Sequence, residues 1–102
     1  MEIYNDGTRL LVTLIYQLFY WYTTVKVKFN AQTAPFIRER KWHPSQEIEE
    51  HQDGSLTLSL ESSGLNNLKR WILGYGSGAV ALEPPELVEL VRNEIKKMTN
   101  CY

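Results

Sequence analysis

The stretch His51-Gln52-Asp53-Gly54-Ser55-Leu56-Thr57-Leu58-Ser59-Leu60-Glu61 decides how this chain folds. Asp53-Gly54 is the strongest hairpin signal in the sequence, because these two residue types accept the positive φ that tight turns between strands demand. Behind it, Leu56, Leu58 and Leu60 alternate with Thr57, Ser59 and Glu61, which gives a strand one apolar and one polar face. Ahead of it, Gln46 to His51 reads as the partner strand, with Ile48 its only strongly apolar residue. Ser62-Ser63-Gly64 closes the pair.

Upstream, Thr24 to Asn30 alternates in the same way. Val25, Val27 and Phe29 share one face, and Lys26, Lys28 and Asn30 the other. Gln32 or Thr33 can then cap a helix with Pro35 in its first turn, where a missing N–H costs nothing. Phe36 and Ile37 begin its apolar side. This helix is expected to stop just before Pro44, since the residue ahead of a proline is pushed to extended geometry.

Downstream, Leu65, Leu68, Ile72 and Tyr75 are spaced for one face of a second helix, with Trp71 and Leu73 widening it. Gly74, Gly76 and Gly78 end that helix, and Ala79 to Glu83 forms a short fourth strand. Pro84-Pro85 opens a last helix whose apolar stripe is Leu87, Val88, Val91, Ile95 and Met98. Glu86 and Glu89 come early in it, and Lys96 and Lys97 late, as the helix dipole favours.

From Val25 the order is strand, helix, strand, strand, helix, strand, helix. The expected class is α+β: a ferredoxin-like βαββαβ antiparallel sheet with helices on one face, plus a C-terminal helix. Residues 25–102 make this domain, and residues 1–24 form an apolar N-terminal segment. Leu11, Leu14, Ile15, Leu18, Phe19 and Tyr22 have helical spacing, whereas the β-branched and aromatic content of the segment argues for strand. Helix is the preferred reading.

The totals set the outer bounds. The 102 residues suffice for one domain with a modest core, and 43% hydrophobic content is that of a globular chain. Eleven Lys and Arg against twelve Asp and Glu leave a net charge of −1, so any nucleic-acid contact must rest on a local patch. A single cysteine, Cys101, excludes an intrachain disulfide and a multi-cysteine metal site, in keeping with a reducing cytoplasm. Leu10 to Val25 carries no charge, yet it is shorter than the roughly 20 apolar residues of a membrane span and contains Thr13, Gln17, Thr23 and Thr24. Glu2 and Asp6 stand where a signal peptide would be basic. No membrane role is expected.

Candidate chemistry concentrates in Ile37 to Gln46, which reads Ile-Arg-Glu-Arg-Lys-Trp-His-Pro-Ser-Gln. Arg38, Arg40 and Lys41 with His43 form a basic cluster. Arg38 and Lys41, three apart, could share a helix face as a fork of donors for a phosphate or a carboxylate. The alternative is a solvated helix end, or pairing with Glu39, Glu47, Glu49 or Glu50. His43 and Ser45 suggest a base and a nucleophile, but they flank a proline whose bend sets their directions, and no third group orients the base. Neither catalysis nor a cofactor is expected, and His43 and His51 lack metal-ligand spacing. Gly74-Tyr75-Gly76-Ser77-Gly78 follows a helix and feeds a strand, the reverse of a phosphate-binding loop, so it reads as a helix cap. Trp42 and Trp71 read as core.

The segment Trp42-His43-Pro44-Ser45-Gln46 resembles the signature of the C-terminal extension (WCX) domain, found at the end of bacterial WYL-domain transcriptional regulators. Val25 to Phe29 followed by Ala34 to Arg40 looks like the opening strand and helix of that domain. Asp53-Gly54-Ser55 with the leucine strand, and then Leu68 to Gly76, resembles its hairpin and second helix. The likeness covers about residues 25–102, and its specificity lies in the order and spacing of the pieces.

The resemblance implies a ferredoxin-like fold and a regulatory, dimerising module. Such a module would couple effector binding at a WYL domain, of the same or the partner subunit of a homodimer, to DNA binding elsewhere. It implies that Arg38, Arg40, Lys41 and His43, with Ser45 and Gln46 of the motif, contact a nucleic-acid or other anionic effector or the WYL domain. No helix-turn-helix or WYL segment lies within the 102 residues, so the chain is expected to act as part of a larger regulator. The alternative is a stand-alone nucleic-acid-binding protein that uses the basic Arg38–His43 region.

Overall fold

The structure, a computed structural model, describes residues 23–102. Strands β1 (Thr23–Phe29), β2 (Glu47–Glu50), β3 (Leu56–Ser62) and β4 (Ala79–Glu83) and helices α1 (Ala34–Arg38), α2 (Leu65–Leu73) and α3 (Pro85–Cys101) follow in the order β1-α1-β2-β3-α2-β4-α3. A single 3-10 turn, Gly76–Gly78, leads into β4. The architecture is α+β: one four-stranded sheet in the order β2-β3-β1-β4, antiparallel at every step, with three helices. The apolar segment over residues 1–24 lies outside the described residues except for Thr23 and Thr24, which open β1. No helix among the described residues is long and apolar enough to cross a membrane.

The alternation read from the sequence becomes cross-strand pairing. Val25, Val27 and Phe29 stand opposite Leu60, Leu58 and Leu56, and all six are buried. On the other side of β1, Phe29 and Val27 face Ala79 and Ala81. Phe29, Trp71 and Tyr75 meet pairwise edge to face with centroids 5.5 Å apart, the arrangement that ring quadrupoles favour. Each helix sends residues into this one core: Ala34 and Ile37 from α1, Ile72 from α2 and Leu87 from α3.

The hairpin forms where Asp53-Gly54 placed it. Gly54 takes φ +89°, a left-handed conformation that strains any L side chain. The Asp53 carboxylate accepts the Ser55 N–H at 2.9 Å and the Ser55 hydroxyl at 2.6 Å. These bonds to the charged form hold the Asp53 carboxyl below the usual carboxylate range.

Helix α1 departs from expectation. It ends at Arg38 and does not run on towards Pro44, so Arg38 and Lys41 do not share a helix face. The cause is Trp42, whose indole Nε1–H donates to the Ile37 carbonyl at 3.0 Å. That bond engages the carbonyl that the Lys41 N–H, four residues on, would have used had the helix continued, and the chain turns away. Helix α3 differs in burial. Of its apolar stripe only Leu87 is fully buried, and Ile95 and Met98 are exposed.

Candidate functional site: a braced turn between two tryptophans

The segment from Arg38 to Gln46 leaves the end of α1, crosses the mouth of the core and enters β2. Its shape is held by its own polar groups. The Gln46 Oε1 accepts the backbone N–H of Trp42 and, at 3.1 Å, that of His43. In return the Gln46 N–H donates to the His43 carbonyl at 3.1 Å. Pro44 sits at the apex, with its fixed φ suited to a tight bend.

His43 and Ser45, which the sequence left with no reason to meet, are in contact. The Ser45 N–H donates to His43 Nδ1 at 3.1 Å, and the Ser45 Oγ lies 2.7 Å from the same nitrogen. A backbone N–H can only donate, so Nδ1 is an acceptor and, in the neutral ring, Nε2 carries the proton. The Ser45 hydroxyl therefore donates to Nδ1 while its oxygen accepts the Glu61 N–H at 3.0 Å. This ties the turn to the end of β3. The Ser45 hydroxyl and the Nδ1 of His43 are thus spent on shaping the bend, and the other edge of the imidazole is not.

The cations divide. Arg38 is committed: its Nε lies 3.1 and 2.9 Å from the two Glu50 carboxylate oxygens, and its Nη2 donates to Glu50 Oε1 at 2.7 Å and to the Gly54 carbonyl at 3.0 Å. It thus stitches α1 to the β2–β3 hairpin, one of the pairings weighed from the sequence. The guanidinium's hydrogen bonds lower the Glu50 carboxyl below its ordinary range, and the same bonds raise Arg38 further. Arg40 lies over the Trp42 ring, 5.7 Å from its centroid. Arg40 and Lys41 are exposed and have no ion-pair partner among the described residues.

Beside the turn is a hollow of about 300 Å³, at the small end of the range for ligand pockets. It is lined by Trp42 and His43 of the turn, Leu60 and Ser62 of β3, and Asn67, Leu68 and Trp71 of α2. The two tryptophans touch, with centroids 5.2 Å apart, and both are half-buried. No sequence pattern signals that α2 contributes here. Trp71 read as core, which its packing on Phe29 supports, and Asn67 fell on no motif. Spacing along α2 could have flagged Asn67 only as a polar residue one position from the apolar stripe. Among the described residues no cluster of His, Cys, Asp or Glu could hold a metal ion.

A mostly apolar hollow with a fixed imidazole, flanked by two cations with no carboxylate partner, has the chemistry of a recognition surface. It can receive an apolar or planar group and hold an acceptor or an anion at its rim. The family model of the WCX domain matches residues 21–99. No curated protein matches the chain.

Proposed function

The chain belongs to the WCX domain family, and from that premise we propose that it is the C-terminal regulatory and effector-coupling module of a WYL-type bacterial transcriptional regulator. The module works in the cytoplasm as a homodimer, catalyses no reaction, and meets the WYL domain of its own or its partner subunit. Its fold is the ferredoxin-like βαββαβ arrangement over residues 25–102. The strand order supports this, since read from the other edge it is β4-β1-β3-β2.

One observation carries the functional reading. The motif's own polar atoms brace the turn, so what it offers outward is Arg40, Lys41 and the hollow that Trp42 and Trp71 help to line. That combination suits docking and anion recognition. Arg38, Ser45 and Gln46 act by holding the platform in place. Arg40, Lys41 and the His43 edge make the contact to an anionic effector or to the WYL domain.

Two titrations test this. A purified WYL domain lacking its own extension is added to the fluorescently labelled chain. A complex that an Arg40→Ala, Lys41→Ala variant loses is expected, and no complex at all would refute the regulator reading. The stand-alone nucleic-acid reading is favoured by the same two unpartnered cations. It requires the chain alone to bind a short single-stranded oligonucleotide in fluorescence polarisation. The slope of log affinity against log salt would then fall by about 0.7 for each phosphate contact removed, roughly 1.4 for both cations.

A further inference from the structure

The edges of the sheet are unlike each other. β2, at one edge, carries Glu47, Glu49 and Glu50, the kind of charge that keeps an edge strand from pairing with another chain. β4, at the other edge, reads Ala79-Val80-Ala81-Leu82-Glu83, with no charge until its last residue. Its outer side has no strand partner among the described residues.

Alongside it runs α3, 17 residues and so about 25 Å long. Only its first half reaches the core, through Leu87 and the half-buried Val91. Between β4 and α3 lies an apolar groove of about 590 Å³ that includes Val80, Ala81, Val88, Val91, Ile95 and Met98. Six large hydrophobic residues are exposed among the described residues, and four of them, Val80, Leu82, Ile95 and Met98, are on these two elements, each at least 43% accessible. Val80, Ile95 and Met98 of these line the groove itself, and exposed apolar surface gathered in one place marks an interface.

We propose that this face is where a second copy of the chain docks, across a two-fold axis that sets β4 beside β4 and α3 antiparallel to α3. This rests on the reading of the chain as a dimerising module and names the surface that does it. The argument for a second copy over another partner is self-complementarity. The apolar positions 88, 91, 95 and 98 are spaced 3, 4 and 3 apart, symmetrically about the level of Asn93. A two-fold axis at that level sets Val88 against the partner's Met98 and Val91 against the partner's Ile95. An isologous interface demands that reciprocity. The same operation lays the acidic first half of α3, with Glu86 and Glu89, alongside the basic second half with Lys96 and Lys97. An antiparallel edge pairing also suits β4, since a strand related to itself by a perpendicular two-fold is antiparallel by construction.

The test is analytical ultracentrifugation of the full chain at roughly 100 μM, far above the Kd of an ordinary specific dimer. The expected result is a dimer that Ile95→Glu converts to monomer with an unchanged far-UV spectrum. A cross-linking arm fixes the geometry in a Cys101→Ser background. The two copies of residue 95 lie about 6 Å apart along the helix axis, and those of residue 98 about 15 Å, from a rise of 1.5 Å per residue. A short thiol-reactive bifunctional linker, unable to span about 15 Å, is therefore expected to join the two copies of Ile95→Cys and not those of Met98→Cys, whereas a direct disulfide needs Cα atoms within about 7 Å.

A dimer that Ile95→Glu leaves intact overturns the surface while leaving the dimer reading standing. A monomeric wild type overturns both, and includes the case in which residues 1–22 of the same chain occupy the groove. Cross-linking through Met98→Cys but not Ile95→Cys overturns the antiparallel arrangement.

Discussion

Gln46→Ala probes whether the signature turn is a brace. Gln46 Oε1 accepts two backbone N–H groups, those of Trp42 and His43, in a part-buried bend. Truncation to Ala leaves both donors without a protein partner. A net intramolecular hydrogen bond contributes about 1 kcal/mol, so the expected loss is about 2 kcal/mol. For a domain of this size that corresponds to a fall in Tm of roughly 8–16 °C. Urea unfolding is the assay, with the midpoint expected to fall at constant slope. Gln46→Glu is the control, because a carboxylate oxygen accepts the same two N–H groups and should recover most of the loss at neutral pH. Near-UV circular dichroism reports the second consequence: the Trp42–Trp71 contact loosens in the Ala variant and is kept in the Glu variant. Gln46→Ala within about 0.5 kcal/mol of wild type, the range of an ordinary surface change, would refute the reasoning. So would a Glu variant as damaged as the Ala variant.

Two further predictions concern the frame around the site. Gly78 is buried, and a Cβ built there would stand 2.2 Å from the Thr33 Oγ1, so Gly78→Ala should cost about 1–3 kcal/mol as overpacking. Adding Thr33→Ala should return most of it, and a double-mutant cycle in chemical denaturation showing no coupling would contradict this. Acid should erase the contribution of the Arg38–Glu50 pair. Glu50 is lowered in the folded state by the guanidinium's hydrogen bonds, so its contribution is present above the ordinary carboxylate pKa of about 4 and is lost as pH falls through the lower folded value. Whatever stability gap separates wild type from Arg38→Ala at pH 6 should therefore shrink by pH 2.5. A gap that holds or widens would mean that Arg38 acts through packing.

The strands were the most legible part of the fold. Leu56, Leu58 and Leu60 alternate because every second side chain of a strand faces the core, and that period survives in the sequence unaltered. Asp53-Gly54 marked the hairpin because few residue types tolerate its backbone. The end of α1 was less legible. Pro44 set a limit on the helix, but the stop came earlier, through the Trp42 indole reaching back to Ile37, and a side-chain hydrogen bond of that kind leaves no periodic trace. The basic cluster was visible as composition alone. Arg38 and Glu50 are twelve positions apart, and three carboxylates nearer to Arg38 or beside Glu50 were equally eligible on paper.

What the sequence alone determined is local: the order of the elements, the apolar face of each, the turn at Gly54 and the motif from Trp42 to Gln46. Each follows from the conformations a residue and its near neighbours can adopt, so short-range pattern is enough. Tertiary structure decided which cations are consumed and which remain. It brought Trp71 and Asn67 of α2 against the motif to make the hollow, and it left Ile95 and Met98 uncovered although they continue the stripe that begins at Leu87. These are matters of distance between segments far apart in the chain. α3 is longer than the core beneath it, and no periodicity records where that core ends.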